Sequence, residues 1–227
     1  MSDLEKKIHV YFMPGMAANP SIFERIKLPE DQFKIHWLYW KIPTKNESLS
    51  DYVDRLLKEV KHKNPVLVGV SFGGVIVQEM SKKIDVQRLI IISSIKTNKE
   101  FPRRMNFMRK TGFYRMLPTS LVGKVSSIEK LPVGNLVKKR AKLYQQYLDM
   151  NKKEYLDWAI LQILRWQQSD VIESIIHIHG SNDLVFPRKY IEDCIEVKGG
   201  THVMIINRFK WFNENLPNLI LHGKLAE

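Results

Sequence analysis

The sequence predicts one α/β domain built in three layers, with a mostly parallel sheet of about six strands covered by helices on both faces. Two observations carry this expectation. Short β-branched apolar runs alternate with stretches of helical periodicity along most of the 227 residues. Between the fourth strand and the last two, from Lys96 to Gln168, no strand pattern is found, so a helical segment is inserted there.

The elements follow in order. Lys7 to Met13 reads as a buried strand ended by Pro14-Gly15. Asn19 can cap a short helix through Arg25. Phe33 to Tyr39 is a second strand. Ser48 or Ser50 caps a helix to about Lys61, with Tyr52, Val53, Leu56, Leu57 and Val60 at helical spacing. Pro65 to Val70 is a short apolar strand, Gly73 to Lys83 a helix and Leu89 to Ser93 a strand. Within the insert, Phe101 to Leu117, Leu136 to Met150 and Glu154 to Trp166 read as amphipathic helices, with Asn151 and Glu154 spaced as a capping box. Ile175 to His179 and Ile195 to Lys198 are the last strands. A final helix starts near Met204 and is expected to break or kink at Pro217. The expected division is a core of residues 1–95 and 169–227 with an insert of residues 96–168.

Composition narrows the class. With 44% hydrophobic and 26% charged residues the chain is globular. The lone Cys194 cannot form an intrachain disulfide, which favours an intracellular, cytoplasmic home. No apolar run of signal-peptide type follows the charged start, and the stretch Val66 to Val77 is too short to span a bilayer. The net charge is +12, and residues 96–153 carry all of it: 15 of the 36 Lys and Arg fall there, against three of the 24 acids. Such concentration suggests an anionic partner, either the substrate or an anionic membrane surface. No nucleic-acid motif accompanies the charge, so nucleic acid ranks below both. A solvated helix face explains it equally well.

Chemistry concentrates in Gly69-Val70-Ser71-Phe72-Gly73-Gly74, lying between a strand and a helix. A very tight strand-to-helix turn demands small residues two positions either side of the serine, and it exposes the hydroxyl at the carboxyl edge of the sheet. Serine needs a base to become a nucleophile. Of seven histidines, His202 is best placed, after Gly199-Gly200 and at the start of the last helix. His9, His36, His62 and His222 read as structural or surface residues. His177 and His179 share a strand face, yet no Cys or acidic ligand pattern stands nearby and no metal site is assigned. Asp183, in the loop after Ile175 to His179, offers the carboxylate that orients the base; a turn or cap role is its alternative.

These residues, in the order Ser, Asp, His, resemble the α/β-hydrolase superfamily. The resemblance runs from Ile8 to about Leu221 and is carried by Met13-Pro14-Gly15-Met16, the serine motif, Gly180-x-x-Asp183-x-x-x-Pro187 and Gly200-Thr201-His202. It implies a serine hydrolase acting on a small-molecule carboxylic ester or thioester through an acyl-enzyme, without metal or organic cofactor. It implies Ser71, Asp183 and His202 as a triad, and the Met16 and Phe72 N–H groups as the oxyanion hole. Pro14 stands where the family usually has histidine. The insert corresponds to the family's lid, and Phe101, Met105, Phe113 and Trp166 from it, with Ala17 and Val185 from loops of the core, are candidates for contact with substrate; packing within the lid core is the alternative for the insert's residues. The fold also serves as a ligand receptor or interaction module with a slow or idle triad, which is the alternative function.

Overall fold

The computed structural model describes residues 7–111 and 147–226. Six parallel strands form one sheet: β1 (Ile8–Met13), β2 (Phe33–Trp37), β3 (Val66–Val70), β4 (Arg88–Ile92), β5 (Ile176–Gly180) and β6 (Ile195–Val197), in the order β2-β1-β3-β4-β5-β6. The helices are α1 (Leu49–Leu57), α2 (Phe72–Ser81), α3 (Arg103–Thr111), α4 (Lys153–Arg165), α5 (Met204–Asn207) and α6 (Phe209–His222).

The period-2 alternation of the strands creates two cores. Tyr11, Met13, Leu67, Leu89 and Ile91 pack with Tyr52, Val53 and Leu56 of α1, Val75, Ile76 and Met80 of α2, and Tyr155 and Trp158 of α4. Val10, Phe12, Val68, Ile90, Ile92 and Ile178 face the opposite side, against Met204 and Ile205 of α5 and Phe212, Leu216, Leu219 and Ile220 of α6. A parallel strand buried on both faces reads as a continuous apolar run, and all five residues of β3 are buried.

From β1 the chain moves outward to β2, then returns past β1 to place β3 on its other side. The loops after β1 and β3 therefore diverge and leave a crevice at the carboxyl ends of these strands. Open α/β sheets bind their ligands at such a reversal.

Several local expectations are corrected. Ser48, not Ser50, caps α1, its Oγ accepting the Asp51 N–H at 3.1 Å. Asn19 accepts the Ser21 N–H at 2.8 Å, but the helix it opens is a single 3₁₀ turn, Pro20–Phe23. The Asn151 capping box does not form: α4 begins one residue later, with Lys152 at the cap and no side-chain bond there. The C-terminal stretch divides at Arg208 into α5 and α6, and α6 runs through Pro217 instead of stopping. Phe212, Leu216, Leu219 and Ile220 anchor both sides of the proline in the core, and that burial outweighs the lost backbone bond. Residues 147–150 are a turn and a single bridge, Leu148 to Ala18, so the helix expected up to Met150 is not present over them. The remainder of that stretch, residues 136–146, and the end of the helix expected to reach Leu117 lie outside the described residues. Among the described residues no helix is long and apolar enough to cross a membrane.

The chain leaves the sheet near Lys96 and returns near Gln168 at the same place. Asn98 N–H donates to the Gln168 carbonyl at 3.0 Å, and the Gln168 amide reaches Gln78 at 2.9 Å. Beside this root Lys96 and Glu100 are both buried, 3.8 Å apart. Burial pushes the Glu100 carboxyl up from its ordinary value, against the pull of the Lys96 and Glu192 N–H groups.

Candidate active site

Ser71 occupies the turn between β3 and α2 with φ 53° and ψ −120°, a conformation that costs a non-glycine residue about 1–3 kcal/mol. Its surroundings enforce it. The Ser71 N–H extends the β3–β4 ladder to the Ile92 carbonyl at 2.9 Å. The Ser71 carbonyl accepts Ser94 Oγ–H at 2.7 Å and Gly74 N–H at 2.9 Å. A Cβ on Gly69 would lie 2.3 Å from the Gly73 carbonyl oxygen, and one on Gly73 would lie 2.4 Å from that of Pro14. Both positions flanking the serine are closed by backbone, so only glycine fits.

A second close approach joins the loops after β5 and β6. A Cβ on Gly180 would stand 2.3 Å from the Gly200 carbonyl oxygen. Asn182 N–H donates to that same oxygen at 2.8 Å, and Gly199 N–H donates to Ser181 Oγ at 2.8 Å. These contacts bring Asp183 and His202 together although they arise on different loops. Asp183 is 2% exposed. Its Oδ1 accepts the Val185 and Phe186 N–H groups at 2.7 and 2.9 Å, and its Oδ2 accepts His202 Nδ1–H at 2.8 Å. With Nδ1 donating to the carboxylate, Nε2 presents its lone pair to the Ser71 hydroxyl, 2.9 Å away. Burial alone would raise the Asp183 pKa; the hydrogen bond and charge of His202, with the Phe186 N–H, overcome it and hold the carboxyl below its usual value.

Behind Asp183 lies a second pair of rings. Buried His179 donates Nε2–H to the Phe186 carbonyl at 2.8 Å and stands 3.7 Å from Asp183 Oδ2. Its Nδ1 therefore accepts from His177 Nε2 at 3.1 Å. Burial holds both below the usual imidazole value, His177 strongly, so both are neutral and act as uncharged struts. At the other end of the sheet, His36 is also held low, first by burial and then by His62, His9 and Lys34.

The loop after β1 lies against the serine: a Cβ on Gly15 would be 3.5 Å from Ser71 Cβ. Gly15 O accepts the Trp40 indole N–H at 2.8 Å, and Ala17, at φ 65°, turns the chain sharply. The Ala17 N–H is committed to the Tyr155 hydroxyl at 3.3 Å. Among the described residues the Met16 N–H makes no backbone hydrogen bond. The Phe72 N–H is the first of α2 and has no intrahelical partner.

Ser71 and His202 border a cavity of about 470 Å³. Its walls come from Met16, Leu148, Ile160, Ile163 and Ile206, with Met105 and Met108 from α3. Tyr147, Ser71 and His202 bring its polar side chains, and among the described residues no Asp, Glu, Lys or Arg lines it. Of the residues expected to meet substrate, Met105 and Val185 line this wall and Ala17, Phe101 and Trp166 do not. Phe101 is 1% exposed inside the core, and Trp166 is drawn to the insert root by its indole N–H bond to Glu79 at 2.8 Å. Phe113 lies outside the described residues. Tyr147, Leu148, Ile160, Ile163, Val203, Ile205 and Ile206 were not anticipated. The 3-residue step from Ile160 to Ile163, and the apolar run directly after His202, were the available signals.

Comparison with solved structures matches this architecture over nearly the whole chain. An α/β-hydrolase fold protein from Burkholderia ambifaria aligns with a TM-score of 0.62 at 13% identity, covering 97% of this chain and 92% of that one. The chain has the α/β-hydrolase fold. A carboxylesterase structure from the thaumarchaeon Nitrososphaera gargenis aligns with a TM-score of 0.66 at 17% identity, over 96% of this chain and 89% of that one. An esterase from Exiguobacterium antarcticum gives 0.64 at 14% identity, over 95% and 92%. No protein-family model matches the sequence, and a search of curated proteins returns no match.

Proposed function

We propose that this α/β-hydrolase-fold protein is a serine hydrolase that cleaves carboxylic esters carrying an apolar acyl group. The observation that carries the proposal is the continuous hydrogen-bond chain from Ser71 Oγ through His202 to Asp183, ending at the wall of an apolar cavity. The esterases among the structural neighbours lend it support at the level of reaction class.

In this reading His202 Nε2 takes the hydroxyl proton as Ser71 Oγ attacks the ester carbonyl carbon. Asp183 stabilises the imidazolium that results. The tetrahedral oxyanion is received by the Met16 and Phe72 N–H groups. Collapse breaks the bond to the alkoxy oxygen, which leaves as alcohol with the proton from His202. A water molecule, deprotonated by the same nitrogen, then attacks the acyl-serine and returns Ser71 and a carboxylic acid. The acyl group rests against Met105, Ile160, Ile163 and Leu148. A thioester would react by the same steps, with a thiol leaving. Among the described residues the wall offers no charged partner to an anionic acyl group. In the same reading residues 96–168 form the lid, whose described helices α3 and α4 supply part of the wall.

Time-dependent labelling by a fluorophosphonate, with wild type and Ser71→Ala side by side, tests the proposal. Labelling that requires Ser71, with turnover of p-nitrophenyl esters, is expected. A folded wild type that resists the probe and all esters overturns it and favours a ligand-binding role for the cavity.

A further inference from the structure

Three of the seven histidines meet at the β1–β2 edge of the sheet. His9 comes from the start of β1, His36 from β2, and His62 from the loop between α1 and β3. Each is partly buried, and each offers a ring nitrogen such that the three nitrogens lie within 4.8 Å of one another. His9 Nδ1 and His36 Nε2 are 2.9 Å apart. The His9 and His62 rings are stacked with centroids 3.4 Å apart.

Tyr11 sets the orientation of this group. Its ring stacks on His36 at 4.5 Å, and its hydroxyl accepts the Lys61 N–H at 3.1 Å and meets His62 Nδ1 at 2.7 Å. With Nδ1 so engaged, His62 has Nε2 left to offer. A hydrogen bond to the far nitrogen of a ligating imidazole fixes its tautomer and ring orientation, a role usually filled by a carboxylate, carbonyl or water and here open to the Tyr11 hydroxyl.

We propose that His9, His36 and His62 form a binding site for a single Zn²⁺ ion, with water completing a tetrahedron. Two ligands at ~2.0–2.1 Å in a tetrahedron stand roughly 3.3 Å apart. The nitrogens of His9 and His36, 2.9 Å apart, are within a few tenths of an ångström of that separation, and ligation requires the His9 and His62 rings, now stacked with 9° between their planes, to swing out of the stack so that the third lone pair joins the other two. Three imidazoles without thiolate or carboxylate suit zinc among the abundant divalent ions and exclude the oxygen-seeking Mg²⁺ and Ca²⁺. The site clasps β1, β2 and the approach to β3. Its consequence is a fastening of the sheet edge, separate from the serine chemistry.

Zn²⁺ is titrated into chelator-treated protein by calorimetry and thermal melting, using wild type, His36→Gln and His62→Gln. Wild type is expected to bind one equivalent, with a melting temperature higher by several degrees. Either substitution abolishes that equivalent and the rise, while fluorophosphonate labelling of Ser71 remains as evidence of folding. Tyr11→Phe is expected to weaken binding about 10–100-fold. X-ray absorption of the zinc-loaded wild type should show imidazole nitrogens as the protein ligands, a reading that survives even if a variant fails to fold. No binding by wild type overturns the proposal. So does unchanged binding by both variants, which would move the ion to His177 and His179, to Asp183 and His202, or to His222.

Discussion

Replacing Asp183 by Asn changes one atom in size and reverses one proton. In the native protein Oδ1 accepts two backbone N–H groups, at 2.7 Å from Val185 and 2.9 Å from Phe186, while Oδ2 accepts His202 Nδ1–H at 2.8 Å. An amide has one oxygen. Turning its NH₂ toward Val185 and Phe186 would set donors against donors at both contacts, so the oxygen must stay there and the NH₂ must face His202. His202 can answer only by accepting at Nδ1, which moves its own proton to Nε2. The nitrogen 2.9 Å from Ser71 Oγ then becomes a donor and cannot take the serine proton. Loss of the correct tautomer costs a triad enzyme about 10⁴-fold in kcat, equivalent to about 5 kcal/mol at the transition state. The loop contacts survive, so the melting temperature should change little. The assay is kcat/KM on a short-chain p-nitrophenyl ester, with a thermal melt on the same sample. A folded Asp183→Asn protein within tenfold of wild type would refute both the assignment of Asp183 and the tautomer reasoning.

Four further outcomes are expected. Ser71→Gly abolishes activity but raises the unfolding midpoint in urea relative to Ser71→Ala, because glycine tolerates φ 53° and alanine does not; equal midpoints would mean that the turn stores no strain. Gly73→Ala places a Cβ 2.4 and 2.5 Å from the Pro14 and Met13 carbonyl oxygens and should destabilise by about 1–3 kcal/mol in urea unfolding. Ile163→Trp narrows the apolar wall, so rates across a series of acyl-chain lengths should fall for long chains and hold for acetate. His177 and His179 have folded values below that of free imidazole, so the unfolded chain takes up protons first. Stability should fall as pH drops below about 6.5 toward the folded values, and in His177→Gln the drop in urea midpoint between pH 7.5 and 5.5 should be smaller than in wild type.

Much of the fold was legible because buried parallel strands announce themselves. Val66 to Val70 and Leu89 to Ile92 are apolar runs too short for helices, and their spacing leaves room for crossovers. The serine turn was legible for a similar reason, since the tight packing around Gly69 and Gly73 leaves its mark in residue type. What stayed hidden depends on contacts between distant segments. Pro217 looked like a break or kink because local rules weigh the missing N–H and not the four apolar anchors around it. Phe101 and Trp166 stood as candidates for either cavity wall or lid core, because composition cannot tell a residue facing the core from one facing a cleft. His9, His36 and His62 looked like isolated residues, and only the register of β1 against β2 and the return of the chain before β3 bring them together.

The departure and return of the chain at Lys96 and Gln168 has an evolutionary consequence. Because the segment leaves and re-enters at one spot, its interior can lengthen, shorten or change sequence without altering the distance the core must span. Loop-closure entropy grows only with the logarithm of length, so such changes cost the fold little. Trp166, Gln168, Lys96 and Glu100 act as a fixed socket, bonded to Glu79 and Gln78 of α2 and to the backbone of residues 192 and 193. In the proposed reading, selection can therefore exchange the part that meets the acyl chain while Ser71, His202 and Asp183 stay where the sheet puts them. Specificity and reactivity, in that reading, are inherited on separable lengths of chain.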